Sequence, residues 1–347
     1  MSRRFGRALA VAVAVVALLA GCASTTTPGA APTASGSATS TPTPTAAERT
    51  TFRIASLKGP TTMGLVGLMD DVTDGQARHD YQVTVYGTPD EVVPKVLQGD
   101  VDVALIPSNL AAVLYAKTQG AVQVAAINTL GVLQVVEVGN TVHSLADLRG
   151  RTVYASGKGA SPQFVLEHLL AASGLDPATD LKVEYLSEHT EVAARLAAEP
   201  GAVAMLPQPF VTVVTTQVPG ARVALDLTDE WAKVTPDSQL VTGVLVVRTA
   251  FAAEHAAAFD ELLADYAAST EFTNEHPDEA GVLIAAAGIV PKAPLATAAI
   301  PGSHITYIDG APMQAALSGY LGVLHAADPA SVGGALPGDD FYYRADG

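Results

Sequence analysis

Two short loops carry the residue types that hold anions and polar heterocycles. Lys58-Gly59-Pro60-Thr61-Thr62 and Gly157-Lys158-Gly159-Ala160-Ser161 each combine a lysine, glycine and hydroxyl side chains. Glycine lets the backbone approach a ligand closely. N–H groups at a helix start, with nearby hydroxyls, donate to a carboxylate, sulfonate or phosphate. Lys58 and Lys158 either add charge there or point to solvent. The spacing is not that of a nucleotide phosphate loop, which needs G-x-x-x-x-G-K-[ST]. A second pair is Ile106-Pro107-Ser108-Asn109 and Leu206-Pro207-Gln208-Pro209, in which Ser108, Asn109 and Gln208 offer donors and acceptors at matched places. The alternative for Ser108 or Asn109 is helix capping. Asn128 and Trp231, the only tryptophan, complete the candidate ligand contacts. A lone tryptophan either stacks on a flat ligand or packs in a core.

Catalytic signatures are sparse. Neither H-E-x-x-H nor G-x-S-x-G occurs, and the eight histidines are scattered. His189, with Glu188 and Glu191 nearby, reads as a solvated helix start. Cys22 is the only cysteine, so an internal disulfide and a thiolate zinc site are excluded. No catalytic residue, metal or cofactor is assigned.

The elements that position these loops repeat themselves. Ala55 to Thr61 matches Ala155 to Ser161, and Glu91 to Pro107 matches Glu191 to Pro207, both at an offset of 100 without a gap. That spacing suits a duplicated small domain rather than a solenoid. Each copy reads β-α-β-α-β. Thr88, Pro89 and Glu91 form a capping-box helix start, with Pro94 as an interior flaw. Strands alternating with helices predict an α/β fold of two lobes, each a parallel or mixed sheet with helices on both faces. The apolar strands from Gly131 and from Gly243 are expected to be the two crossings between lobes. Residues after Thr249 are expected to be mostly helical and to complete the first lobe. In open parallel sheets ligands bind beyond the carboxyl ends of the strands, so the paired loops should face one cleft.

The chain begins with Arg3, Arg4 and Arg7, followed by thirteen apolar residues, Ala8 to Ala20. That is shorter than the roughly 20 residues of a membrane span and fits a secretory signal. It ends in Leu19-Ala20-Gly21-Cys22, similar to a bacterial lipobox, which implies lipid on Cys22. Residues 23–49 are nearly all Ser, Thr, Pro, Ala and Gly, a flexible tether. Losing the three arginines takes the formal charge from −16 to −19, which argues against nucleic acid or anionic lipid as a partner. The expected organisation is a signal peptide over 1–21, lipidated Cys22 and tether over 22–50, lobe I over 51–132 and 249–347, and lobe II over 133–248.

With these features the chain resembles the solute-binding lipoproteins of ABC importers, within them the nitrate/sulfonate/taurine and thiamine-precursor group. The motifs are Lys58-Gly59-Pro60-Thr61, Gly99-Asp100-Val101-Asp102-Val103-Ala104, Leu145-Ala146-Asp147-Leu148-Arg149-Gly150-Arg151 and the tail Leu336 to Tyr343. The resemblance implies a periplasmic-binding-protein-like fold, a small polar or anionic organic solute bound between closing lobes, and delivery to a membrane permease with its ATPase. It implies a monomer held on the extracytoplasmic face of the cell membrane by its lipid alone. Two other classes stay open. The same fold hosts enzymes, including those of the futalosine pathway of menaquinone synthesis, and a lipoprotein can present a ligand to a signalling partner.

Overall fold

The computed structural model describes residues 49–344. The signal segment, Cys22 and the tether as far as residue 48 lie outside the described residues, as do 345–347. Among the described residues there are eleven strands: β1 (Thr51–Leu57), β2 (Asp80–Tyr86), β3 (Val103–Pro107), β4 (Val122–Leu130), β5 (Leu133–Val138), β6 (Thr152–Ala155), β7 (Lys182–Tyr185), β8 (Val203–Pro207), β9 (Ala221–Asp226), β10 (Val241–Arg248) and β11 (Ile305–Ile308). They form a six-stranded sheet ordered β11-β4-β10-β3-β1-β2 and a five-stranded sheet ordered β7-β6-β8-β5-β9.

The pattern of β3 shows why the sheets are sandwiched. A strand covered on both faces reads as a continuous apolar run. In β3 the period of two sends Val103 and Leu105 to one core and Ala104 and Ile106 to the other. Helices on each side close both cores. The helix Pro89–Gln98 starts at Thr88 with the reciprocal Thr88–Glu91 capping box, and it runs through Pro94 without a break.

The two copies share one topology. In the first sheet β1 lies between β2 and β3, all parallel, and in the second β6 lies between β7 and β8 in the same way. The repeat steps by 100 at most elements, but Ile54 pairs with Val83 and Val103 where Val153 pairs with Val183 and Val203. The first strand is therefore offset by 99, one residue off the sequence match. Each sheet also takes one antiparallel strand from the chain's passage between lobes. Leu133 of β5 stands opposite Pro207, and Gly243 of β10 stands opposite Pro107.

That placement corrects the expected lobe boundary. Residues 241–248 do not close the second lobe: β10 lies in the first sheet between β3 and β4. The return passage is the helix Leu227–Val234 and the residues just after it. Gly131, in the outward passage, abuts Thr228 and Leu240 of the return, so a side chain at Gly131 would collide with Thr228. Residues after Thr249 are mostly helical, as expected, with one strand, β11, which pairs antiparallel with β4 at the sheet edge. Four residues, Ile305-Thr306-Tyr307-Ile308, are too few to stand out by period. The tail is strapped across the first lobe, where Tyr115 Oη donates to Asp340 (2.6 Å), Tyr343 Oη donates to Asp260 (2.7 Å) and Val124 bridges to Tyr342.

Candidate functional site: the seam between the lobes

The carboxyl ends of β1, β3 and β6 converge on the seam. They line an inner cavity of about 60 Å³ with Lys58, Pro107, Ser156, Gly157, Glu188 and His189 on its walls. Two wider spaces flank it. One, of about 510 Å³, shares Pro89, Gly157, Ala160 and Ser187 with the cavity and exposes Lys158. The other, of about 410 Å³, shares Lys58. The seam is thus a groove across the molecule with a constriction at its centre.

Four of the sequence candidates meet beside that constriction. Ser108 Oγ and Ser161 Oγ lie 3.2 Å apart, and Ser161 Oγ donates to Asn109 Oδ1 (3.1 Å). Asn109 Nδ2 donates to the carbonyl of Gly159 (3.4 Å) and of Ser331 (3.0 Å). Ser108 Oγ donates to the Val241 carbonyl at 2.5 Å. Ser108, Asn109 and Ser161 are fully buried. In this arrangement they clasp one lobe to the other.

Other candidates have their polar atoms committed locally. The hydroxyls of Thr61 and Thr62 donate to the Leu57 carbonyl (3.1 and 2.6 Å), which closes their loop and withdraws them as donors to a ligand. Gly59 faces the Phe210 ring across the seam, and Pro60 begins a four-residue helical turn. Gly157 and Gly159 both sit at φ 77°, a backbone only glycine adopts freely, and the Gly159 N–H donates to Gln163 Oε1 (2.7 Å). Gln208 Oε1 accepts from Thr212 N (3.2 Å) and Oγ1 (2.9 Å), so it serves the helix behind it. Asn128 is buried under the seam, its Oδ1 accepting from Thr129, its Nδ2 without a partner among the described residues.

Trp231 does not stand beside the cleft. It is 1% exposed, donates Nε1–H to the Ser238 carbonyl (3.0 Å), and packs on the rings of His168 and Tyr320 at 5.1 and 5.4 Å. The cause is helical spacing: Leu227 and Trp231 lie four apart on the buried face of their helix.

Ser156, His189 and Phe210 were missed by sequence reasoning. His189 Nδ1 bonds Ser156 Oγ at 2.5 Å, and its ring lies 5.2 Å from Phe210. It does begin a helix, but its ring turns into the seam instead of into solvent. The signal was available. The strand-end rule applies equally to the loops after β2 and β7, and His189 follows β7. Burial pushes His189 down from 6.5 to about 4, so it is a neutral imidazole at pH 7. A neutral ring held at Nδ1 leaves Nε2 to donate to or accept from a bound molecule.

The sign of this shift sets a pH dependence. Below pH 6.5 the unfolded chain takes up a proton that folded His189 refuses, down to about pH 4. Stability should fall through that window as pH drops. His189→Gln should flatten the curve of melting temperature against pH there. Parallel curves for the two proteins would place His189 in a solvated site.

A family model described as menaquinone biosynthesis matches residues 60–296. The chain belongs to that family. The match runs through both sheets and the seam between them. No curated protein matches the sequence. Among solved structures, an ABC transporter protein from Parabacteroides distasonis is similar at 22% identity and TM-score 0.68, covering 85% of this chain and 99% of that one. The periplasmic aliphatic sulphonate binding protein of Escherichia coli is similar at 17% identity and TM-score 0.66, covering 85% and 92%. The periplasmic nitrate-binding protein of Synechocystis PCC 6803 is similar at 15% identity and TM-score 0.54, covering 69% and 66%. At these identities the likeness is one of fold, the two-lobed periplasmic-binding-protein-like fold with two mixed sheets.

Proposed function

We propose that this protein is the extracytoplasmic solute-binding component of an ABC importer, taking a small polar or anionic organic solute between its lobes. The observation that carries this reading is the seam itself. Strand-end loops of two separate sheets meet there and are clasped by a few hydrogen bonds around Ser108, Asn109 and Ser161. Each such bond contributes about 1 kcal/mol net, because water replaces it when the lobes part. A solute that contacts both lobes shifts the balance toward closure. The solutes named by similar folds, sulphonate and nitrate, and thiamine precursors from the sequence resemblance, define the first compounds to screen. The lipobox-like Cys22 and the Ser/Thr/Pro tether support a lipid-anchored monomer that hands its solute to a permease with its ATPase.

Family membership favours a second reading, an enzyme of the same fold, and the Ser156–His189 pair at the seam is where its chemistry would sit. One experiment separates the two. Protein purified from its own cells is examined by native mass spectrometry, and the released solute is returned to fresh protein for prolonged incubation. The importer reading predicts one small molecule per chain, recovered at unchanged mass. A changed mass would make the protein an enzyme.

A further inference from the structure

We infer that the lobes turn on Val132 in the outward passage and on Gln239 and Leu240 in the return, and that His304 confines the first bend to its single residue. This rests on reading the seam as a solute site that closes, and it names the residues that govern closure. A peptide plane held by a hydrogen bond moves with the lobe that holds it, so the bonds mark where the chain can bend. Leu130 N–H donates to the His304 carbonyl (3.2 Å), and His304 Nδ1 bonds the Gly131 carbonyl. A carbonyl only accepts, so Nδ1 carries the proton. His304 leads directly into β11, so both planes belong to the first lobe. The Val132 carbonyl accepts from the Gln208 N–H (3.2 Å), just after β8, and belongs to the second. The φ and ψ of Val132 are what lie between. In the return passage the Ser238 carbonyl accepts from the Trp231 indole (3.0 Å), on a helix packed against β5 and β9. The Val241 carbonyl accepts from Ser108 of the first lobe, and Val241 already pairs with Leu130. Gln239 and Leu240 lie between those two anchors.

The need for His304 follows from Gly131. A β-carbon there would strike Thr228 and come within 3.0 Å of Leu240, so the crossing of the two passages requires glycine. Glycine is also the loosest joint a chain can have. Pinning its carbonyl removes that looseness and leaves the bend to Val132, which is β-branched, 2% exposed and far narrower in backbone range. His304 holds the carbonyl from φ 43° and ψ 42°, a left-handed backbone that a residue with a β-carbon adopts only when its contacts impose it. Its side chain is exposed, so burial does not impose it. The two bonds to Leu130 and Gly131 do.

Spin labels on the two lobes test this. Leu97→Cys and Ala197→Cys, in a Cys22→Ser background, place labels at matched exposed sites near the ends of helices Pro89–Gln98 and His189–Ala198. Double electron–electron resonance then reads the distribution of distances between the lobes. His304→Gly should widen it at least about twofold, and Val132→Gly should widen it as well. Gln119→Gly is the control. Gln119 is also left-handed, at φ 54°, but ends helix Ser108–Thr118 away from both passages, so the width should stay that of the parent. Melting curves confirm that each variant folds. Unchanged width in His304→Gly or Val132→Gly, or equal widening in Gln119→Gly, would overturn the inference. A small-molecule extract of the producing cells is added to each protein. If it shifts the distance in every protein while His304→Gly keeps the parent's width, this inference falls and the importer reading stands. If no protein shows a shift or any widening, both fall.

Discussion

Replacing Asp102 by alanine is expected to lower the unfolding free energy by about 3 kcal/mol, because a buried carboxylate holds three strands together. Asp102 Oδ2 accepts from the Arg53 backbone N–H (3.1 Å) and Nε (2.8 Å), and Oδ1 accepts from Arg53 Nη2 (2.6 Å) and Arg248 Nη2 (2.7 Å). Arg53 lies in β1, Asp102 just before β3 and Arg248 at the end of β10, so one residue ties the amino-terminal ends of two parallel strands to the end of the antiparallel one. The carboxylate is 2% exposed while its two arginines keep 42% and 27%. The stranded guanidinium groups can therefore hydrate, which puts the cost at the low end of that for breaking a buried pair. For a chain of this size the melting temperature should drop by about 5 °C. Burial alone would raise the Asp102 pKa, but the hydrogen bonds from Arg53 and Arg248 outweigh it and hold it below the usual range. Its stabilisation is present above the ordinary carboxylate pKa and is lost as pH falls through the folded value. The clamp lies at the end of the sheet away from the seam, so the folded variant should still bind solute. A change under about 1 kcal/mol by calorimetric or denaturant unfolding would show the clamp to be redundant.

The second lobe has a clamp at the corresponding end, built from different residues. Glu137 of β5, 1% exposed, accepts from the backbone of Thr141 and Val142 and pairs with Arg222. The two lobes thus meet the same architectural need with different side chains.

This explains what was and was not legible beforehand. The repeat offset found equivalent loops because strand and helix lengths are set locally, by alternation in β3 and β8 and by the capping box at Thr88. Helix Pro89–Gln98 and helix His189–Ala198 lie 100 residues apart, in keeping with that offset. Side-chain direction at the seam is not local. His189 faces inward because its ring packs on Phe210, a residue of another helix, and Trp231 faces inward because a helix from the first lobe brings Tyr320 to it. Thr61, Thr62 and Gln208 have the right chemistry in the right loops, but each closes its own turn or helix start, as such short polar side chains tend to do. β10 was assigned to the wrong lobe because an apolar strand carries no mark of which sheet it enters. Lys58 was legible as a candidate, and the structure places it on the wall of both the inner cavity and one flanking space.

Locking the seam should have the largest functional effect. Ser108 and Ser161 come from opposite lobes with their Oγ atoms 3.2 Å apart, so cysteines at both positions need little movement to form a bond. Cys22 is the only native cysteine, and Cys22→Ser leaves the engineered pair free of competition. In that background the protein carrying Ser108→Cys and Ser161→Cys is oxidised, then exposed to an extract of the producing cells and weighed by native mass spectrometry. If solute enters only when the lobes part, the oxidised form should carry nothing, and reduction should let it load to one small molecule per chain. Equal loading of the oxidised and reduced forms would contradict capture by lobe closure.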